Sequence, residues 1–219
     1  MMKHSALIFV FFLFLIGCTP EVKFEKPQPL GKRNLKEFPK KYRGKYINLI
    51  DSSILIINSK IIIREWRQFT TILKDSLFAE LDTIFEKDTV IKLSENWLIN
   101  VKFNGDSAKI KSKREHVVFS ITDKNKLRKY KGYLFLNNYL YENAWDVEVL
   151  KKNNGSLMFE KLVYASEIDS LIEIVNIEML TDTLTDEVRE YLLKPKRREL
   201  RQILKAKKEG RTYKKMSSP

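Results

Sequence analysis

A chain of 219 residues that is 43% hydrophobic and 11% aromatic can build a packed core, which excludes global disorder and suits one domain of ordinary size or one domain with a tail. The single cysteine, Cys18, excludes an internal disulfide, and with only His4 and His116 the common zinc and haem ligand sets lack their residues, so no metal and no cofactor is expected. The net charge of +13 is concentrated at one end, where residues 189–219 hold 12 Lys and Arg against 3 Glu, a net of +9.

The chain opens with the basic pair Lys3 and His4, an unbroken apolar run of 11 residues from Ala6 to Ile16, then Gly17 and Cys18. Such a run is too short to cross a bilayer, which takes roughly 20 apolar residues, and falls in the ~7–15 range of an export signal. Leu15-Ile16-Gly17-Cys18 resembles the lipobox of bacterial lipoproteins. The resemblance implies a signal peptide over 1–17, diacylglycerol on the Cys18 thiol, a further acyl chain such as palmitate on the new amino terminus, and residence in the cell envelope. Two acyl chains hold a protein on a membrane where one binds marginally. Among lipoproteins of Bacteroidota an acidic cluster after the cysteine goes with surface exposure. Here Glu21 stands alone beside Lys23, which points to the periplasm-facing outer membrane. Behind an export signal, anionic lipid or an envelope protein suits the basic end better than nucleic acid.

Residues 18–41 carry Pro20, Pro27, Pro29 and Pro39 without a sustained period, which predicts a lipidated tether reaching roughly 60 Å at about 3.1 Å per residue. From Tyr42 onward, β-rich runs alternate with turn residues. Strands are expected over 43–49, 54–57 and 61–66. Leu77, Phe78, Leu81, Ile84 and Phe85 are at helical spacing and predict an inserted helix between 70 and 87, with Thr70 to Ile72 able to extend the preceding strand instead. Trp97, Ile99, Val101 and Phe103 share one face of a strand, Asn104-Gly105-Asp106 turns, and Ala108 to Ile121 continue a meander with one side in water.

The most aromatic stretch is 132–150. Tyr133 and Phe135 share a face, Asn137-Asn138 reads as a turn, and Trp145, Val147 and Val149 alternate with Asp146 and Glu148. Tyr133, Phe135 and Trp145 are candidate lining for a ligand inside a barrel, or else plain core. Asn153-Asn154-Gly155 is a hairpin signal. The period then turns helical over 167–176, through Ile168, Leu171, Ile172 and Val175, and again after Pro195, through Leu200, Ile203 and Leu204 with Gly210 as the stop. On that second helix Arg197, Arg198, Arg201 and Lys205 are a candidate basic contact.

The expected architecture is mainly β, an antiparallel meander or barrel over 42–176 with one inserted helix, followed by a basic helix and tail over 177–219. That makes two helices near the C-terminus. Gly44-Lys45-Tyr46, Lys131-Gly132-Tyr133 and Trp145-Asp146-Val147-Glu148 are similar to stretches of uncharacterised Bacteroidota lipoproteins, a resemblance that implies no activity. No nucleophile, phosphate-loop or metal motif is present, and His116 stands alone, so no catalytic residue is assigned. The expected role is a non-enzymatic lipid-anchored module for protein interaction or envelope maintenance. A lipocalin-like carrier of a small apolar ligand and an unrecognised hydrolase are the alternatives.

Overall fold

The computed structural model describes residues 19–81, 87–183, 188–207 and 210–216. The signal-like stretch and Cys18 lie outside the described residues, as do Ile84 and Phe85. Fourteen strands of one sheet and three α-helices make up the described fold. The strands are β1 (Glu21–Phe24), β2 (Gly44–Asn48), β3 (Ile54–Ile57), β4 (Ile61–Leu73), β5 (Thr89–Ser94), β6 (Trp97–Asn104), β7 (Ser107–Ser120) and β8 (Lys126–Tyr130). They continue with β9 (Tyr133–Tyr141), β10 (Ala144–Asn153), β11 (Ser156–Lys161), β12 (Ile177–Thr181), β13 (Val188–Leu193) and β14 (Arg211–Lys215). The helices are α1 (Lys74–Leu81), α2 (Ile168–Leu171) and α3 (Arg197–Ala206).

The sheet is open and not a closed barrel. Its strand order runs β12-β13-β1-β10-β11-β14-β2-β3-β4-β7-β6-β5, with β9 and then β8 branching from β10. The path ends at β12 and β5, which do not pair among the described residues, and β4 and β7, 13 and 14 residues long, extend beyond the body. β6 pairs only with the far half of β7, Ser107 to Arg114, so β4, β7, β6 and β5 leave the body as a ribbon. All pairs are antiparallel except β1 with β13.

Alternate side chains of β9 and β10 enter two different clusters, which is why their sequences read as near-continuous apolar runs. On the outer face Tyr133, Phe135, Val147 and Val149 pack with Leu200 and Ile203 of α3 and with Ile168 and Leu171 of α2. On the inner face Leu134, Leu136 and Leu150 pack with Phe38, Tyr46, Ile62, Phe119, Phe159 and Tyr213. A third, smaller cluster of Leu77, Val101 and Ala108 lies on the ribbon under α1.

Several elements differ from the sequence reading. The proline-bearing stretch expected as a tether is packed into the body. β1 lies between β13 and β10, and Phe38 is fully buried. Two apolar side chains, Val22 and Phe24, and the Lys23 contact to Glu190 draw it in. Asn137-Asn138 is mid-strand, because the buried Asn137 amide is satisfied by the Gln28 backbone. The strand begun at Ile61 runs past Trp66 to Leu73, where α1 begins, so Thr70 to Ile72 extend the strand, the second of the two readings of that stretch. The helix expected over 167–176 is one turn, 168–171, after a 3₁₀ turn at Ala165–Glu167. The C-terminal region adds β12, β13 and β14 to the sheet, and α3 ends at Ala206, before Gly210.

Candidate functional site

Between the inner cluster and the α1 cluster, the same face of the sheet crosses a polar saddle. Register builds it: Arg64 is opposite His116, Trp66 is opposite Arg114, which is opposite Trp97, and Gln68 is opposite Ser112. Residues in register share a face, so three strands present these side chains together. The result is a groove of about 400 Å³ lined by Asp51, Trp66, Gln68, Trp97, Ser112 and Arg114. It is continued by a second depression of about 310 Å³ that reaches Asn96 and His116.

Guanidinium and aromatic groups alternate along it. Arg64 lies 5.4 Å from the Phe159 ring centre and 5.8 Å from that of Trp66, and Arg114 lies 5.5 Å from that of Trp97. Such contacts contribute about 0.5–1 kcal/mol each at exposed sites and hold the groups in place. The Trp97 indole N–H donates to Ser112 Oγ at 2.9 Å, fixing the ring. Arg64 Nε is buried without a hydrogen-bond partner among the described residues.

Where the groove meets the body, Asp146 and Glu148 point to the inner face beside Lys161, with Lys161 Nζ 3.9 Å from Asp146. Burial pushes both carboxyls up, Glu148 to about 7. The neighbouring Asp146 charge adds to the shift of Glu148, and Arg64 and Lys161 oppose it.

The residues singled out from sequence lie elsewhere. Tyr133 and Phe135 are buried in the outer cluster with ring centres 6.5 Å apart, and Trp145, half-buried, sets its ring edge-on to Tyr139. Arg197, Arg198, Arg201 and Lys205 are all exposed on α3, with Arg201 donating to the Tyr130 hydroxyl at 2.7 Å. His116 is exposed at the groove's rim. Among the described residues no group of three or more His, Cys, Asp or Glu is placed to hold a metal, and no helix is long and apolar enough to cross a membrane. Sequence reasoning missed Arg64, Trp66, Trp97 and Arg114 because they come from three strands. Their one local signal is the alternation Arg64-Trp66-Gln68 on a single strand face. Comparison of the chain with protein-family models, curated proteins and solved structures finds no match.

Proposed function

We propose that the protein is a non-catalytic, lipid-anchored interaction module of the cell envelope, and that the Trp66–Arg114–Trp97 groove grips an acidic segment of a partner protein. The observation that carries this reading is composition in place. Tryptophan and arginine are the residues that dominate interface energetics, and here Trp66, Arg114 and Trp97 stand in one register row lining the groove, with Arg64 next along the Trp66 strand face. Arg114 offers a forked donor to carboxylates, and the half-open indoles offer apolar area at little entropic cost. The anchoring part rests on the lipobox-like residues ending at Cys18 and on the export-type run before them. The open sheet and the side chains filling its inner face argue against the carrier alternative.

The test is a photo-crosslinking residue placed at Gln68 in the full chain in its native membranes. It should capture one defined protein, and Trp97→Ala or Arg114→Ala should each abolish the adduct, as losses of about 2 kcal/mol or more at interface anchors would. Adducts that form at Arg198 on α3 but never at Gln68 would move the contact to the basic helix and sink this reading. One observation favours a hydrolase as a second reading: Glu148, titrating near neutrality beside Asp146, has the character of a general acid. Hydrolysis of an envelope substrate that Glu148→Gln removes would establish it.

A further inference from the structure

The opposite face of the same ribbon is built as a second contact surface. Its rows follow from register: Arg67, Lys113, Leu98 and Lys92; then Phe69, Lys111, Asn100 and Val90; then Thr71, Lys109 and Lys102. Strands lie about 4.8 Å apart and same-face residues nearly 7 Å apart along a strand, so six cations share a patch about 15 Å across. Lys113 is paired with Glu65 and Glu115, at 3.3 and 2.6 Å, and Arg67 with Glu65. Lys92, Lys102, Lys109 and Lys111 are exposed and have no ion-pair partner among the described residues. Large apolar side chains stand out from among them: Phe69, Val90 and Leu73 are 68%, 64% and 63% exposed. Lys111 lies 5.8 Å over the Phe69 ring, so charge and ring project together.

We propose that this face seats the protein on an anionic lipid surface. The four unpaired ammonium groups meet lipid phosphates, and Phe69, Val90 and Leu73 enter the boundary between headgroups and acyl chains. The face's two carboxylates, Glu65 and Glu115, sit at its body end against Arg67 and Lys113, and the broad remainder, with scattered protruding apolar groups, suits a planar charged layer better than a narrow polymer. A second argument rests on the lipid-anchor reading of the preceding section. Cys18 precedes β1 by only three residues, so an anchor there keeps Glu21 within about 10 Å of the membrane. With no spacer, the body's own surface meets the headgroups.

The test uses a chain beginning at Thr19, which lacks Cys18 yet carries every strand and helix of all three clusters. It should sediment with vesicles of phosphatidylcholine containing about a third phosphatidylglycerol and stay in solution with pure phosphatidylcholine. Each Lys→Gln at 92, 102, 109 or 111 should weaken binding about five-fold at low salt, and all four together several-hundred-fold. Phe69→Ser should weaken it further, while Trp97→Ala, on the groove side, should leave it unchanged. Equal binding to both vesicle types would overturn the proposal, as would loss on neutralising Arg197, Arg198, Arg201 and Lys205 of α3 but not the four lysines. Binding to a soluble polyanion such as heparin but to neither vesicle would also overturn it. The anchor is tested apart, by the acyl mass on Cys18, so either claim can fail alone.

Discussion

Glu148 shows how a single half-buried group sets pH behaviour in this fold. Its carboxyl titrates near 7 instead of 4.5 because β10 carries it into the inner face, where burial and the neighbouring Asp146 charge disfavour ionisation. A raised folded-state value means the folded protein holds the proton more tightly than the unfolded chain. Its contribution to stability is therefore present below pH 4.5 and is lost as pH rises toward 7. Glu148→Gln should flatten that decline and raise stability at neutral pH, on the order of 2 kcal/mol. Urea unfolding of both proteins from pH 4 to pH 8 checks it, and parallel curves would mean the carboxyl is hydrated. Asn137 makes the opposite case, a buried polar group that is fully used. It accepts from the Gln28 N–H and donates to the Gln28 and Lys126 carbonyls, both at 2.9 Å. Asn137→Leu strands those backbone groups and should cost about 2 kcal/mol or more, read as a lower urea midpoint.

At the scale of elements, α3 is held to the sheet by few side chains. Leu200 and Ile203 are buried in the outer cluster and Leu204 packs at its edge, while its Arg and Lys residues face water. Ile203→Ala should therefore cost about 2–4 kcal/mol, and Lys205→Gln less than 0.5, in the same unfolding assay. This apolar stripe was legible in the sequence because it is local and periodic, as was the alternation through Trp97, Ile99, Val101 and Phe103. Long-range pairing was not legible. β1 hides among prolines, and its parallel partner β13 lies more than 160 residues away, joined through the Lys23–Glu190 contact that no local pattern announces. Asn137 read as a turn residue because its satisfaction comes from Gln28, 109 positions distant. The groove escaped for the same reason, since register alone brings Trp66, Arg114 and Trp97 into one row.

At the scale of the whole molecule the three clusters are unequal, and that sets where it opens. The outer and inner clusters share the β9–β10–β11 layer, whose residues are buried on both faces, so neither can open without exposing part of the other. The ribbon cluster has three buried residues, and β5 has none. Few buried contacts and exposed backbone pairs lower the free energy of local opening. Native-state hydrogen exchange should accordingly show β5 and β6 exchanging through openings well below the global unfolding energy, while β9 and β10 exchange only with global unfolding. If the ribbon carries both the groove and the cationic face, a partner on either should slow exchange in β5 and β6 by ordering what is otherwise the least stable part. Uniform protection across the sheet would make the ribbon an integral part of one cooperative body, and binding there would then leave the exchange pattern unchanged. Anionic vesicles are the ligand to try first, because they engage the outer face and leave the groove open. Slowing of β5 and β6 by vesicles in the chain beginning at Thr19, but not in the variant lacking the four lysines, would tie the stability of the ribbon to its occupancy.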